Sequence, residues 1–248
     1  MKKIFSLLDL LTGILFPRKC AMCGEIIEDG KDLCEICTLE LEKIDHKNRC
    51  LVCGMHKPYC QCKYRVYYFE ECVGVFENRD LAKTGYYRYK IGGLRQYSEF
   101  FSKQIAKVIK ETFCDINFDA VCPVPQSHQS RLSRGFDHTG RIAREVAEIL
   151  DIPYRGDIIC AKAFKKSQHN LKFGDRADNV RGKYYIKNRV DRMNILLIDD
   201  IRTSGATLNE CSHMLLLAGA DSVRCATALV TVPKNKDILS NGDIKNGN

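Results

Sequence analysis

Two adjacent carboxylates and the loop that follows them form the segment with the clearest capacity for chemistry. Asp199 and Asp200 come directly after the apolar run 195–198, which is typical of a strand buried on both faces. Ligands of open α/β sheets bind at the carboxyl ends of the strands, so both carboxylates are expected at a binding edge. A solvated turn is a poor alternative because the apolar run leads directly into the pair.

The loop after these carboxylates is made of small and hydroxylated residues and is predicted to lead into a helix. Its backbone N–H groups and hydroxyls can converge on one point at the positive end of the helix dipole, which favours a phosphate there. With carboxylates to accept hydrogen bonds from ribose hydroxyls, the segment predicts a sugar-phosphate site. The predicted phosphate ligands are Thr203, Ser204, Gly205, Ala206 and Thr207.

Eight of the nine cysteines in the first 72 residues are spaced as metal ligands. Short-spaced cysteine pairs supply four thiolates to a closed tetrahedral site, for which structural zinc is the expected metal. An iron–sulfur cluster is the alternative, and pairs could be shared between sites. Cys72 and His56 are interpreted as non-ligands. The two sets are Cys20, Cys23, Cys34 and Cys37, then Cys50, Cys53, Cys60 and Cys62.

The composition indicates a globular protein with an anionic partner. Of the 248 residues, 45% are hydrophobic and 28% are charged, and 39 Lys and Arg against 31 Asp and Glu give a net charge of +8. This balance excludes disordered and collagen-like chains. The apolar stretch Ile4–Phe16 is interrupted by Asp9 and is too short to span a bilayer. This stretch predicts a helix docked on its own protein, and a helix that lies on a membrane surface is the alternative. The expected compartment is a reducing cytoplasm.

Strands alternate with helices after residue 72, which predicts an α/β domain with a parallel sheet. Helical spacing is found from Leu94 to Ile109 and again over 139–150. Asp119–Pro125 and 195–198 are predicted strands. A helix from about Ala206 is expected to stop at Gly219.

Several segments together resemble the competence protein F (ComF) family. The segment 195–207 resembles the phosphoribosyl-pyrophosphate (PRPP) signature of type I phosphoribosyltransferases. The cysteine pairs are similar to the family's double zinc ribbon, and three further blocks match its patterns. These blocks are Cys122-Pro123-Val124-Pro125 with Arg131, Arg134, Gly135 and Phe136; Tyr89-Lys90 with Gly92; and Gln168, Leu171, Arg176, Asn179, Val180, Arg181 and Gly182.

This resemblance implies a type I phosphoribosyltransferase-like parallel sheet flanked by helices, with a small N-terminal zinc-ribbon module. The implied organisation is an amphipathic helix at 1–17, a double zinc ribbon at 18–72, a phosphoribosyltransferase-like domain at 73–234 and a disordered tail at 235–248. Asp199 and Asp200 would be catalytic and bind ribose hydroxyls, and the loop 203–207 would bind the 5′-phosphate. Residues from about Phe164 to Gly182 would form a mobile flap over the site. The residues that would contact pyrophosphate with Mg²⁺ or belong to this flap are Lys90, Val124, Pro125, Arg131, Arg134 and Arg176.

The implied function is PRPP binding with Mg²⁺ in a cytoplasmic protein of DNA uptake, with phosphoribosyl transfer as a possible activity. Single-stranded DNA and the helicase or recombination proteins of DNA uptake would be its partners, without stable membrane insertion. The alternatives are a PRPP-sensing or single-stranded DNA-binding factor without turnover, and a phosphoribosyltransferase of nucleotide metabolism. Two departures from the family pattern put turnover in more doubt than binding: Asp137-His138 replace the usual Asn-Gln, and Arg202 stands where an apolar residue is commoner.

Two basic segments are candidate contacts for DNA phosphates. Lys103, Lys107 and Lys110 recur at helical spacing on one face, and the run 86–90 interleaves Tyr with Arg and Lys. A solvated helix face and tyrosines packed against a sheet are the alternatives.

The cysteine spacing predicts that the purified protein carries one or two zinc ions per chain. A region so poor in apolar residues depends on metal binding for its folding free energy, so chelation is expected to unfold it. Elemental analysis with circular dichroism checks this. Metal-free protein whose N-terminal region stays folded would contradict it.

Overall fold

The strands of the computed structural model, which describes residues 17–60, 62–126, 135–162 and 182–232, form two sheets. The strands are β1 (Glu71–Glu77), β2 (Ala120–Pro123), β3 (Ile159–Ala161), β4 (Tyr184–Ile186), β5 (Asn194–Arg202) and β6 (Ser222–Val230). The main sheet has the order β1-β6-β5-β2 with every pair parallel, and β3 pairs with β4 antiparallel.

Five α-helices accompany these strands in the described part of the chain. They are α1 (Glu35–Glu40), α2 (Asp80–Gly92), α3 (Arg95–Thr112), α4 (His138–Leu150) and α5 (Ala206–Leu217). Short 3₁₀ turns lie at His46–Asn48, Lys57–Tyr59 and Cys62–Tyr64. None of the helices in the described ranges is long and apolar enough to cross a membrane.

Helices cover both faces of the main sheet, which explains the continuous apolar run of β5. Leu196 and Ile198 pack in one cluster with residues of α2, α3 and α4. Ile195 and Leu197 pack in the other with Leu208 and further residues of α5. The predicted parallel sheet flanked by helices is therefore confirmed. The predicted strand 195–198 is observed but continues to Arg202, so that the acidic pair lies within β5.

The cysteine-rich region packs against the α/β domain at two places. Its first part lies on α2, where Met22 is fully buried. Its second part covers the edge of the sheet, because Gly54 forms a parallel bridge with Val73 and the Leu51 carbonyl accepts a hydrogen bond of 2.7 Å from the Cys72 N–H. An exposed strand edge invites pairing with other chains, so this cover protects β1. The predicted N-terminal helix, apart from Pro17, and the predicted tail lie outside the described residues, and the proposed domain boundaries stay a prediction.

Gly85 is where the first part of the cysteine-rich region meets α2, and its replacement tests the docking. Alanine ordinarily stabilises a helix interior over glycine by about 1 kcal/mol. At Gly85 an added Cβ would lie 2.5 Å from the Ala21 oxygen and 2.6 Å from the Met22 Cε. We expect Gly85→Ala to lower the melting temperature in spite of its helix propensity.

The matched control is Gly92→Ala on the same helix, where an added Cβ would meet nothing within 4 Å. This variant is expected to melt at the wild-type temperature or slightly above it. Thermal unfolding of the two variants that left Gly85→Ala as stable as Gly92→Ala would show that the close packing is not required.

Candidate functional site

The register of the sheet leaves the acidic pair at an open edge. β2 pairs with β5 only as far as Pro123 opposite Ile198, and β5 continues beyond it. Successive strand residues point to opposite faces, so Asp199 is directed to the α5 side and Asp200 to the side of α2 and α4. Two neighbouring carboxylates thus enter different environments.

Two helices converge on the carboxylate of Asp200. Its Oδ2 accepts hydrogen bonds from the Tyr86 hydroxyl at 2.5 Å and from Lys90 Nζ at 3.2 Å, and it lies 2.9 Å from His138 Nε2. Its Oδ1 accepts the Ile201 N–H at 2.6 Å. Burial alone raises the pKa of Asp200, but His138 and the charge of Lys90 hold it well below its usual range. Asp200 is therefore ionised and fixed in position.

Asp199 has the opposite electrostatic character. Its side chain is buried, and its Oδ1 accepts the N–H of Asp200 at 2.8 Å. Burial, followed by the negative charge of Asp200, raises the pKa of Asp199 well above its ordinary value. Two carboxylates that share a site commonly separate in this way, one staying ionised while the other retains a proton more readily.

His138 is held from both sides of its ring at the start of α4. Gln126 Nε2 lies 2.6 Å from its Nδ1, opposite the contact of Nε2 with Asp200. The Tyr89 hydroxyl donates to the His138 carbonyl at 2.8 Å. Asp137 caps α4, since its Oδ1 accepts the Gly140 N–H at 2.8 Å. Of the residues that depart from the family pattern, Asp137 thus caps a helix and His138 contacts the ionised Asp200.

The predicted phosphate loop connects β5 to α5 by a sharp turn. Gly205 adopts φ = +80° at the start of α5, a backbone conformation that favours glycine. An added Cβ would also lie only 3.1 Å from Nε of Arg202, so a larger residue would crowd that side chain. Ser204 Oγ accepts the Ala206 N–H at 3.3 Å. The N–H groups of a helix's first turn have no acceptor within the helix, which leaves donors for an anion. Thr203 at the loop's start is exposed, and Thr207 hydrogen bonds to Tyr184 of β4.

Arg202, directly before this loop, is turned into the protein. It is only 2% exposed, and its Nη2 donates to the Tyr67 hydroxyl at 2.9 Å. Burial lowers the pKa of the Arg202 guanidinium, but Cys72, Tyr67, Cys53 and Cys62 act more strongly in the other direction and raise it. Arg202 therefore lies between the loop and the second cysteine set.

The remaining predicted ligands are only partly described. Lys90 reaches Asp200 from α2, and Val124 lies beside β5, where its N–H donates to the Ile198 carbonyl at 2.8 Å with Pro125 following. Arg131, Arg134 and Arg176 lie outside the described residues, as does the predicted flap before Gly182. The Gly182 N–H donates to Glu210 Oε1 at 2.9 Å, which joins the end of that segment to α5.

The cysteines converge in the two predicted sets of four. In each set the four sulfur atoms lie within 4.8 Å of one another; the sets are Cys20, Cys23, Cys34 and Cys37, and Cys50, Cys53, Cys60 and Cys62. Four thiolates bound tetrahedrally to zinc at about 2.3 Å require such spacing, so the donor sets fit structural zinc. Gly24 and Gly54, which follow the first pair of each set, have φ of +85° and +72°. Cys72 and His56 belong to neither set.

The lysines and tyrosines of the two basic segments are less available for contact with DNA than their spacing indicates. Lys103 Nζ lies 2.9 Å from Asp32 Oδ2, and Lys107 Nζ lies 3.8 Å from Glu111 Oε1. Lys110 Nζ donates to the Ile149 carbonyl at 3.4 Å. In the aromatic run, Tyr86 and Tyr89 are fully buried and only the Tyr87 ring is exposed. For Tyr86 and Tyr89, core packing is thus the correct interpretation.

Three residues of the site were missed by sequence reasoning as contributors to it. Tyr86 and Gln126 gave no signal of their own beyond their place beside predicted ligands. His138 gave one signal, its departure from the family pattern, and the structure places it on Asp200.

Comparison with known proteins adds relatives for both parts of the chain. The double zinc ribbon domain family matches residues 11–72. Competence protein F of Haemophilus influenzae is 28% identical over 43% of this chain, and the match spans 48% of that protein, about half its length. Competence protein ComFC of Streptococcus pneumoniae is 27% identical over 83% of this chain and 97% of its own length. A solved purine phosphoribosyltransferase from Pyrococcus horikoshii is 14% identical with a TM-score of 0.35, covering 54% of this chain and 82% of that one.

The parallel sheet flanked by helices and the two four-sulfur clusters define an α/β protein with an N-terminal double zinc ribbon. The chain is similar to ComFC of Streptococcus pneumoniae over most of its length, and to competence protein F of Haemophilus influenzae over 43% of it. The two cysteine sets are those of its zinc ribbons.

The opposite environments of the acidic pair predict opposite effects of amide substitution on stability. The raised pKa of Asp199 means that the fold becomes more stable as pH falls through that pKa, so Asp199→Asn is expected to stabilise the protein at neutral pH. The lowered pKa of Asp200 contributes stability above the unfolded-state pKa, which is lost as pH falls. Asp200→Asn removes that contribution and is expected to destabilise.

Thermal unfolding at pH 7 and pH 5 measures both effects, with shifts of about 2–4 °C for each kcal/mol. The stabilisation by Asp199→Asn should be smaller at pH 5, where the wild-type side chain gains its proton more readily. Equal destabilisation by both substitutions would contradict the assignment of the two carboxylates.

Proposed function

We propose that this protein binds PRPP with Mg²⁺ and acts in the cytoplasm during DNA uptake. The observation that carries the proposal is the acidic pair near the end of β5, with the loop 203–205 leading from that strand into the N-terminus of α5. The sequence matches to competence proteins support the setting.

The chemistry of the edge suits a phosphorylated ribose. The loop 203–207 would hold the 5′-phosphate on backbone N–H groups and hydroxyls, at the positive end of α5. The carboxylates would accept hydrogen bonds from ribose hydroxyls. Asp200 is already engaged by Tyr86, Lys90 and His138, so Asp199 is the carboxylate with more freedom to contact the ligand.

Magnesium fits the donors at this edge. It prefers carboxylate and phosphate oxygens and usually retains several waters, so Asp199 with a bound diphosphate offers the appropriate set. When bound, Mg²⁺ would supply positive charge to the pyrophosphate. Lys90, 22% exposed beside Asp200, is placed to add a second positive charge at the same edge.

Phosphoribosyl transfer is the activity that such a site would support. The bond between ribose C1 and the pyrophosphate oxygen would break while a nucleophile bonds to C1, and pyrophosphate would leave with the bonding electrons. Positive charge near the departing oxygens stabilises the transition state. A PRPP sensor without turnover is the alternative, and release of pyrophosphate with pooled nucleobases, amines and single-stranded DNA distinguishes the two.

Calorimetry tests the binding proposal directly. Wild-type protein is expected to bind PRPP in the presence of Mg²⁺, and the double variant Asp199→Asn, Asp200→Asn is expected to lose that binding, because it removes both carboxylates from this edge of the sheet. Asp221→Asn is the matched control, since Asp221 is exposed in the turn before β6 at the other end of the sheet. Equal affinity in the double variant and the control would refute the site.

Single-stranded DNA is proposed as a second ligand, and one surface favours it. Lys83, Tyr87 and Arg88 line a groove on α2 together with exposed Ile91, so an exposed aromatic ring lies between cations. Base stacking on such a ring and phosphate contacts to the cations are the usual means of single-strand binding.

Binding of a fluorescent oligonucleotide across a salt series tests this surface. The slope of log affinity against log salt is about −0.7 per phosphate contacted. We expect Lys83→Gln with Tyr87→Ala to weaken binding and flatten the slope. Lys103→Gln, Lys107→Gln and Lys110→Gln together, whose lysines have protein partners, should have a smaller effect. The reverse order would move the DNA site to α3, and no binding by wild-type protein would remove DNA as a direct ligand.

A further inference from the structure

Arg202 is a buried cation without a carboxylate partner in the described part of the chain. Within the same residues its Nε and Nη1 have no hydrogen-bond partner, and only Nη2 is used, by Tyr67. Burying an ion costs several kcal/mol unless opposite charge lies nearby. Its place in the fold therefore requires a source of negative charge.

The second cysteine set, once it holds a metal, offers such charge through a shared neighbour. Tyr67, whose hydroxyl accepts the hydrogen bond from Arg202, packs with Cys62 against the cluster that contains the fully buried Cys53. A zinc ion with four thiolates has a net charge of −2, since the metal contributes +2 and the sulfurs −4. A guanidinium beside such a site balances part of that charge.

The other side of Arg202 touches the phosphate loop. An added Cβ on Gly205 would lie 3.1 Å from both Nε and Nη2, so the guanidinium fills the space that a side chain would need. Arg202 also directly precedes Thr203 in the chain. A displacement of the Arg202 side chain would therefore change the packing at the turn that leads into α5.

Arg65 makes a second connection between the same two features. Its N–H donates to the Cys62 carbonyl at 3.0 Å, and its Nη1 donates to the Ser204 carbonyl at 2.6 Å. Tyr68 continues the connection to α5, because its N–H donates to Asn209 Oδ1 at 2.6 Å. The segment after the last cysteine of the second set therefore runs along the loop and the first turns of the helix.

We propose that the second zinc site, through Arg202 and Arg65, sets the conformation of the phosphate loop. Arg202 is the counter-charge of the zinc–thiolate site and the packing support of Gly205, while Arg65 holds the Ser204 carbonyl away from the ligand side. Arg202 and Arg65 are positioning residues. The inference rests on the proposed function only for the identity of the ligand, since the link between metal and loop can be measured without it.

The first experiment measures zinc release to a chelator in the Cys20→Ser, Cys23→Ser background, where only the second site retains four thiolates. Arg202→Met is expected to accelerate release about tenfold, as for other groups that support metal ligands from outside. Arg202→Lys retains the charge and should restore most of the wild-type rate. Arg224→Met is the matched control, because Arg224 is a largely buried arginine of β6 that pairs with Glu70 and Glu71.

The second experiment measures amide hydrogen exchange of residues 203–207 in otherwise intact protein. Cys50→Ser with Cys53→Ser is expected to speed exchange in this loop about tenfold or more, whereas Cys20→Ser with Cys23→Ser should leave it unchanged. Arg65→Met, at an exposed position, should raise loop exchange without loss of zinc. It serves as the test if the cysteine variants fail to fold.

The outcomes separate this inference from the proposed function. Unchanged loop exchange in the Arg65 and second-set variants, or equal zinc release from Arg202→Met and Arg224→Met, would overturn the coupling. If wild-type protein does not bind PRPP in calorimetry, the proposed function fails, but the zinc and exchange measurements still decide whether metal and loop are linked. If PRPP binds, its affinity should fall in Arg65→Met and stay unchanged in the Cys20→Ser, Cys23→Ser variant.

Discussion

The ionised carboxylate of Asp200 is the constraint on which the rest of the site depends. A buried charge is tolerated only when it is paired and hydrogen-bonded, so the chain must bring donors to it from elsewhere. Tyr86 and Lys90 come from α2 and His138 from the start of α4, and all three meet one oxygen. These contacts fix two helices relative to β5.

The zinc ribbons complete a sheet that would otherwise be exposed. The main sheet has four strands, and its edge strand β1 is covered by the turn around Gly54 rather than by another strand. The first ribbon packs Met22 against α2 at Gly85. Metal binding in these modules is therefore expected to stabilise more than the modules themselves, because the same segments cover the edge of the sheet.

The sequence predicted those features that depend on local pattern. The apolar run before Asp199, the loop 203–207 and the cysteine spacing each carry their own signal, and the structure places them as strand, turn and two four-sulfur clusters. Contacts between segments that are far apart in the chain have no such signal in the sequence. Lys103 pairs with Asp32, 71 residues away in the chain, so this lysine contacts the cysteine-rich region and is not part of a free basic surface. The burial of Arg202 could not be predicted from its neighbours in sequence, because its hydrogen-bond partner Tyr67 lies 135 residues away in the chain.

We propose that the edge after β5 holds a phosphorylated ribose with its diphosphate. Phosphorus-31 magnetic resonance of PRPP with Mg²⁺ measures this binding, since the 5′-phosphate and the two diphosphate phosphorus atoms give separate signals. We expect wild-type protein to broaden or shift all three signals, and Gly205→Val, which fills the turn against Arg202, to lose the effect on the 5′-phosphate first. Signals unchanged by wild-type protein at saturating concentration would contradict it.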